Sequence, residues 1–294
     1  MDQAQVLRQM LAHSNKDSDS RAVTIGIASG KGGTGKTSFT VNFSLELVRS
    51  GKKVLLFDLD IGMGNVDILL GETAEYSIYD YWVKSIPMSK VIERSPAGID
   101  YIGGGRSFKD FFQLKGRELE TFLAELDRLT KEYDFIFFDM GAGMTMESLQ
   151  FLLAADEIFL IVTPEPTSLM DAYSAAKHIL LRKSEARLSI MINKARTRKD
   201  GQFAYERISS VISKFLSSAP GLLGILPDDP AVMEAVLKRK PVTRLYPKSK
   251  YSQGMNQAVS SFLKQESDNQ PTGSSDTFMS RLKTLFKNTA GKGG

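Results

Sequence analysis

The chain contains no cysteine and only two histidines among its 294 residues. The lack of cysteine excludes disulfides and every metal site or cluster held by thiolates. His13 and His178 stand far apart in the sequence without nearby acidic residues, so we expect neither of them to bind a metal. No stretch reaches the roughly 18 apolar residues that a membrane span needs, and the first ten residues lack a basic-then-apolar signal. We therefore expect a cytoplasmic protein.

Acidic residues are scarce in two parts of the chain, although the overall net charge is only +4. Residues 176–215 hold ten Lys/Arg and three Asp/Glu, and residues 238–294 hold eleven and three. Two basic regions on an acidic body suggest anionic partners such as a membrane, a nucleic acid or an acidic protein face. For the first region, solvated basic helix faces are an equally good interpretation.

Apolar runs of strand length alternate with longer runs of helical period, and 42% of the residues are hydrophobic. Runs such as Phe135–Phe138 have no polar alternation, which indicates burial on both faces of a sheet. The fold class predicted is α/β, a doubly wound, mostly parallel sheet flanked by helices, with its ligand at the carboxyl ends of the strands. The predicted strands lie at 22–28, 53–58, 99–103, 134–138, 157–162, 188–193 and 222–226. The predicted helices lie at 36–50, 116–130, 146–154, 168–182, 202–216, 230–237 and 251–265.

A glycine-rich loop follows the first predicted strand and precedes a helix. It reads Gly30-Lys31-Gly32-Gly33-Thr34-Gly35-Lys36-Thr37, which fits the phosphate-binding pattern G-x-x-x-x-G-K-[ST]. Glycines let successive backbone N–H groups turn toward an anion, Lys36 adds charge for the outer phosphates, and the Thr37 hydroxyl can ligate Mg²⁺. The pattern predicts nucleotide binding.

Two further strand ends carry carboxylates. Asp58 and Asp60 end the run Leu55–Asp60, and Asp139 ends the run Phe137–Asp139. An acidic side chain at the end of a buried strand is costly unless a cation meets it. In a parallel sheet both ends lie beside the phosphate loop, so Mg²⁺ with its water shell is the expected partner. Helix caps or turns are the alternative interpretation for either carboxylate alone.

Together these motifs resemble the MinD/ParA family of deviant Walker A ATPases, and the resemblance covers nearly the whole core. The motifs that carry it are KGGTGKT from residue 31, DLDIGMGNVD at 58–67, DMGAGM at 139–144 and PDDPAVMEAVLKRKPV at 227–242. The resemblance implies a P-loop domain of the SIMIBI class that hydrolyses ATP and forms a homodimer with the nucleotides between the subunits. Ser38 and Met144 depart mildly from the family pattern, and neither removes a required group.

The resemblance also implies roles for single residues. Lys31 would reach across the dimer to the partner's phosphates, while Lys36 would hold phosphates within its own subunit. Thr37 would ligate Mg²⁺, with Asp58 and Asp139 acting through its waters. Asp60 would position the attacking water, and Asn65 would lie near the γ-phosphate and the dimer interface. Ser38 would lie beside the loop. The adenine contacts would be Asn193, Pro227 and Asp229.

The two ends of the chain are predicted to be separate elements. We divide it into an N-terminal element at 1–20, an ATPase domain at 21–265, a flexible linker at 266–277 and an amphipathic helix with its tail at 278–294. One side of the last helix carries apolar residues flanked by cations, which is typical of a helix that lies on an anionic membrane. Docking on the chain's own core is the alternative. The residues concerned are Phe278, Met279, Leu282, Leu285, Phe286, Arg281, Lys283 and Lys287.

The first residues, DQAQVLR at 2–8, resemble the DQAQxLR motif of the flagellar MinD-like ATPases, the FlhG (FleN, YlxH) group. In that group the motif activates the SRP-type GTPase FlhF, so Gln3, Gln5, Leu7 and Arg8 are implied as its contacts. The resemblance also implies contact with flagellar C-ring proteins. Residues 177–214 form a candidate docking face for them.

The leading interpretation is an ATPase switch that attaches reversibly to the inner face of the membrane and governs flagellar number and placement. A division-site MinD is one alternative, and the N-terminal motif argues against it. A ParA-like DNA-partitioning ATPase is another, but DNA binding needs no apolar helix face, so we expect no nucleic acid partner. A binding module that uses ATP only as a dimer clamp would be insensitive to Asp60→Ala.

Overall fold

The computed structural model describes residues 21–60, 64–104, 116–141, 146–182, 186–268 and 277–290. Its centre is an eight-stranded sheet in the order β3-β4-β2-β5-β1-β6-β7-β8, in which only β3 runs antiparallel to its neighbour. The strands are β1 (Val23–Ala28), β2 (Val54–Leu59), β3 (Ile92–Arg94), β4 (Asp100–Ile102), β5 (Phe135–Met140), β6 (Glu157–Val162), β7 (Arg187–Ala195) and β8 (Gly221–Pro227). The predicted fold class is confirmed.

Helices cover both faces of this sheet. They are α1 (Lys36–Arg49), α2 (Val66–Leu70), α3 (Ile78–Lys84), α4 (Met88–Val91), α5 (Arg117–Glu132), α6 (Met146–Ala154), α7 (Pro166–Leu180), α8 (Arg198–Leu216), α9 (Pro230–Leu237), α10 (Val242–Leu245), α11 (Lys250–Asp268) and α12 (Phe278–Ala290). One apolar core joins the sheet to α5, α6, α7, α8 and α12, and a second joins it to α1 and α11. The central strands are therefore buried on both sides, as their unbroken apolar runs predict.

The sheet brings the two carboxylate-bearing strand ends together. Strands β2 and β5 are neighbours, and their register pairs Asp58 directly with Asp139. Strand β1, which leads into the glycine-rich loop, lies on the other side of β5 and pairs Ile27 with Asp139. The carboxyl ends of three adjacent parallel strands thus form one edge that carries the loop and both aspartates.

Several short elements lie where the sequence indicates none. Strand β3 and helices α2, α3, α4 and α10 have three to seven residues each, too few for a periodic pattern to be read. They are defined by contacts instead, as when the side chains of Ser77 and Asp80 form a reciprocal cap at the start of α3.

The C-terminal helix α12 lies on the core of its own chain. Phe278, Met279 and Leu282 are at most 4% exposed, and the ring of Phe278 stacks on Phe138 at 5.3 Å between centroids. Arg281 donates to Asp156 at 2.5 Å and to the carbonyl of Ala154 at 2.9 Å. This is the docked arrangement that the sequence left open as the alternative to a free membrane helix.

Helix α11 ends three residues beyond its predicted end at residue 265. Helix α11 continues to Asp268, because Glu266 near its end pairs with Arg187 at the start of β7. Residues 269–276, together with the N-terminal element at 1–20, lie outside the described residues. The division of the chain into four parts therefore stays a prediction.

Candidate functional site

The glycine-rich loop sits between β1 and α1, at the carboxyl edge of the sheet. Gly35 precedes the helix with φ 88°, and a Cβ at that position would lie 2.6 Å from the Nδ2 atom of Asn193. Only glycine satisfies both the left-handed backbone and this close approach. The loop therefore presents the first amides of α1 to its concave side, where an anion is favoured by the helix N-terminus.

Asn193, at the end of β7, holds the loop from the outside. Its Nδ2 atom donates to the carbonyl of Thr34 at 2.8 Å, while its Oδ1 atom is buried and has no hydrogen-bond partner within the described part of the chain. A fixed amide with a free acceptor suits an exocyclic amino group such as that of adenine. The predicted adenine contact of Asn193 stays a prediction, and the geometry is compatible with it.

Asp58 organises the segment that follows β2. Its carboxylate accepts from the backbone amides of Asp60 at 2.9 Å, Asn65 at 3.1 Å and Val66 at 3.4 Å. Burial raises the pKa of Asp58 well above its ordinary value and the charge of Asp139 adds to this, while the backbone amides act in the opposite direction. Asp58 thus anchors the start of α2 as well as facing Asp139.

Asp139 is buried with both carboxylate oxygens free of hydrogen bonds among the described residues. Burial raises the pKa of Asp139 to about 6, and the neighbouring Thr37 hydroxyl and Lys36 charge oppose this rise. A buried, unsatisfied carboxylate beside a threonine hydroxyl fits a hydrated Mg²⁺ ion carried in with a nucleotide. Nowhere in the described residues are three or more acidic, histidine or cysteine side chains placed so that they could hold a metal ion by themselves, so a cation here would draw its other ligands from water and phosphate.

Asp60 lies against the segment that follows β5. A Cβ on Gly141 would come within 2.8 Å of the Asp60 Oδ1 atom, so glycine at 141 leaves room for this carboxylate. Burial raises the pKa of Asp60, and the charge of Lys36 lowers it. Asp60 is half-buried at the mouth of the site, where a water molecule attacking a bound phosphate would be.

Lys31 is held within its own subunit. Its ammonium group donates to the Oε2 atom of Glu165, just before α7, at 2.6 Å and to the Oγ1 atom of Thr167, in the first turn of α7, at 3.1 Å. The hydrogen bond and charge of Lys31 hold the pKa of the Glu165 carboxyl below its usual range. Lys36, by contrast, is buried between Asp60 and Asp139, so the two lysines of the loop have different surroundings.

Three predicted nucleotide contacts have clear structural surroundings. Asn65 is exposed at the N-terminus of α2. The two carboxylate oxygens of Asp229 accept from the amides of Ala231 at 3.0 Å and Tyr251 at 3.1 Å, so this residue caps α9. Pro227 ends β8 at the same edge of the sheet. Their contacts with a nucleotide stay predictions.

The residues of the predicted membrane contacts lie within the described part of the chain, and those of the predicted GTPase contacts do not. On α12 the apolar residues face the core, and Lys283 and Lys287 remain exposed. The GTPase contacts at residues 3, 5, 7 and 8 lie outside the described residues. No helix within the described ranges is long and apolar enough to cross a lipid bilayer.

Sequence reasoning missed the partners of Lys31. Glu165 follows a predicted strand in the run Pro164-Glu165-Pro166, which places it at the carboxyl edge of the sheet. That position was a usable signal for a site residue. Its contact with a lysine 134 positions earlier was not readable, because it depends on β1 and β6 being adjacent in the sheet.

Comparison with known proteins agrees with this geometry. A family profile described as "AAA domain" matches residues 22–192. The antiactivator FleN of Pseudomonas aeruginosa is 30% identical over 228 residues, which cover 78% of this chain and 81% of FleN. The flagellum site-determining protein YlxH of Helicobacter pylori is 28% identical over 265 residues, which cover 90% of this chain and 88% of YlxH.

Among solved structures, the septum site-determining protein MinD of Pyrococcus horikoshii, complexed with Mg-ADP, superimposes with a TM-score of 0.69. The two sequences are 25% identical, and the match covers 85% of this chain and 99% of the other. The similarity therefore spans nearly the whole of a protein whose structure was solved with Mg-ADP.

Proposed function

We propose that this chain, which belongs to the MinD/ParA family of P-loop ATPases, is an ATP-hydrolysing switch. It pairs with a second copy on binding ATP. One observation carries the proposal. The phosphate loop, Thr37 and the unsatisfied carboxylate of Asp139 converge at the carboxyl edge of the sheet. Such a site binds a triphosphate with its Mg²⁺ rather than a neutral ligand.

The site residues then divide the work of hydrolysis. The loop amides and Lys36 neutralise phosphate charge, which is the main requirement of phosphoryl transfer. Thr37 and Asp139 would hold a hydrated Mg²⁺, which would supply positive charge to neutralise the outer phosphate oxygens. Asp60 accepts a hydrogen bond from the attacking water and orients it toward the terminal phosphate.

Lys31 couples hydrolysis to pairing. In the single chain Lys31 forms an ion pair with Glu165 and a hydrogen bond with Thr167, and these contacts lie at the surface rather than in the phosphate site. We infer that in the ATP-bound pair it leaves these partners and contacts the phosphates of the second copy. A cation supplied by the neighbouring subunit makes turnover depend on assembly, as an arginine finger does.

The test uses size-exclusion chromatography with light scattering, together with phosphate release, in ADP and in ATP. We expect a monomer with ADP and a dimer with ATP, and both pairing and hydrolysis lost in Lys31→Ala. Lys90→Ala, on the exposed side of α4, is the matched control and should behave as wild type. A Lys31→Ala protein that dimerises and hydrolyses ATP at the wild-type rate would contradict the proposal.

Membrane attachment requires α12 to leave the core. In the docked helix, the side chains that would enter a lipid interface are buried against β5 and α6. Helix α6 begins at Met146, shortly after Asp139 in the sequence, and α12 packs against α6. We infer that nucleotide binding at Asp139 is transmitted to α12 through α6. We infer that ATP-dependent pairing favours the undocked helix, and that two helices on one dimer bind a membrane far better than one.

Asp156→Asn tests the undocking step without changing the helix itself. The substitution removes the charge that holds Arg281, and Asn can still accept from the Thr24 amide and hydroxyl that Asp156 binds at 2.9 and 2.6 Å. In sedimentation with phosphatidylglycerol vesicles, we expect the ADP form of the variant to bind severalfold better than the wild-type ADP form. Equal binding of the wild-type ADP and ATP forms would argue against nucleotide control.

The flagellar role is the finer part of the proposal. We propose that residues 2–8 stimulate the GTPase FlhF, and a peptide of residues 1–20 that leaves GTP hydrolysis by FlhF unchanged would refute this. For the C-ring proteins we propose the basic face of α8, where Arg207 and Lys214 lie over the exposed rings of Phe203 and Phe215. Arg207→Glu should abolish binding to a C-ring protein, whereas Arg128→Glu on α5 should not.

A further inference from the structure

Lys194 has a backbone conformation that its position in a strand does not explain. It lies near the end of β7 with φ 57°, in the left-handed region that disfavours residues with a side chain. Among the described residues, the other non-glycine positions with positive φ are Ser85, Ser217 and Arg239, and all three lie at helix C-termini, where such angles are common. Lys194 alone of these four is inside a strand.

The unusual backbone coincides with an irregular register. The pairing of β7 with β8 shifts between Ile192 and Ala195, so Lys194 occupies a bulge. A bulge redirects the side chain that it carries. Here the redirected side chain reaches the phosphate loop, where its ammonium group donates to the carbonyl of Gly33 at 2.8 Å.

Two consecutive loop carbonyls are therefore held from outside by consecutive residues of one strand. Asn193 donates a hydrogen bond to the carbonyl of Thr34, and Lys194 donates one to the carbonyl of Gly33. In a trans peptide the C=O of one residue and the N–H of the next point in opposite directions. Fixing these two carbonyls outward thus turns the amides of Thr34 and Gly35 toward the concave side of the loop, where phosphate binds.

We propose that Lys194 is a positioning residue that holds the phosphate loop in its anion-binding conformation before the nucleotide arrives. The proposal rests on nucleotide binding at this loop, but not on pairing, hydrolysis or membrane attachment. The strained backbone of Lys194 persists because the bulge and the contact with Gly33 both require it.

The test measures affinity for ADP and for adenosine by competition with a fluorescent nucleotide, using the full chain. Lys194→Met removes the ammonium group and keeps the length of the side chain. Lys194→Gly removes the ammonium group and also relieves the backbone strain. We expect ADP to bind about five- to tenfold more weakly to both variants, which is the effect of losing one solvent-exposed hydrogen bond of ordinary net strength.

Three further results separate positioning from a general structural role. Adenosine should bind both variants as it binds wild type, because it has no phosphate. In ATP hydrolysis, KM should rise and kcat should be unchanged. Lys194→Arg should restore ADP affinity to within about twofold, since guanidinium can make the same contact. Lys199→Met, an exposed lysine on α8, is the matched control.

Wild-type ADP affinity in Lys194→Met would overturn the inference. Wild-type affinity in Lys194→Gly alone would also overturn it, because the backbone angle rather than the ammonium group would then matter. An equal loss of adenosine binding would place the effect on the base pocket instead. A wild-type chain that fails to bind ADP would refute the proposed function itself, and so the two failures are distinguishable.

Discussion

Replacing Phe278 by alanine should release α12 from the core while the rest of the protein stays folded. The ring is 4% exposed, stacks on Phe138 at 5.3 Å and lies in the same cluster as Phe151. Truncating a buried phenylalanine costs about 3–5 kcal/mol where the surroundings cannot collapse. Helix α12 is joined to α11 through residues outside the described ranges and contacts mainly α6. The substitution should therefore reduce the free energy of docking of α12 rather than the stability of the whole fold.

The magnitude follows from that cost. At about 1.4 kcal/mol for each factor of ten, a loss of about 3 kcal/mol raises the undocked population roughly a hundredfold. A 13-residue helix is marginal in water, so α12 should also lose its helical hydrogen bonds when it undocks. Undocking therefore opens its amides to exchange and exposes Arg281 and Lys283 to trypsin.

Hydrogen exchange with mass spectrometry measures the opening of the amides, and limited proteolysis with trypsin measures the cleavage. In Phe278→Ala, protection over residues 278–287 should fall about a hundredfold, while protection of β1, β5 and β6 stays at the wild-type level. Lys283→Ala is the matched control, because this side chain is exposed on the docked helix and its removal should leave protection unchanged. Wild-type protection of α12 in Phe278→Ala would refute the reasoning. So would a uniform loss across the sheet, since α12 would then belong to one cooperative core.

Three other perturbations follow from the site. The folded chain binds the Asp139 proton more tightly than the unfolded chain, whose carboxyl has its ordinary value of 3.8, so stability should fall as pH rises from about 4 to about 6. Asp139→Asn should reduce this slope in thermal unfolding, with Asp58 and Asp60 supplying what remains of it, because their pKa values are raised as well. It should also raise the stability of the nucleotide-free protein at pH 7 by about 1–3 kcal/mol, while Mg²⁺-dependent ADP binding is lost; an unchanged pH profile would contradict the buried, unpaired carboxylate. Glu165→Gln should lower the ATP concentration needed for dimerisation in light scattering, because Lys31 loses its charged partner, and a higher requirement would mean that Glu165 acts in the pair instead. Gly141→Ala should lower kcat for ATP hydrolysis about tenfold with little change in ADP affinity, because the added Cβ displaces Asp60. A wild-type kcat in this variant would show that Asp60 does not take part in hydrolysis.

The position of the candidate phosphate-site residues in the fold was predictable from the sequence. The glycine loop is a contiguous motif, and Asp58 and Asp139 each end an apolar run, so local patterns alone placed them at one edge of a parallel sheet. The seven predicted strands match observed ones with ends shifted by at most two residues, because burial on both faces makes the runs of the central strands continuous.

The contacts of the site residues were not predictable in the same way. Lys31 meets Glu165, and Asn193 meets Thr34, across more than a hundred residues in each case. Asp229, for which the family resemblance implied an adenine contact, caps α9 and accepts from Tyr251 as well. A side chain's partners depend on which strands become neighbours, and no local pattern encodes that order.

Helix α12 shows which properties follow from the sequence alone and which depend on the tertiary structure. Its amphipathic pattern by itself established that one face must be buried, because five apolar side chains on one side of a helix are costly in water. The pattern is the same whether that face meets lipid or protein. In the tertiary structure this face meets protein. Phe278 stacks on Phe138 of β5, and Arg281 donates to the carboxylate of Asp156. The sequence thus determined what had to be covered, and the packing of distant elements determined what covers it.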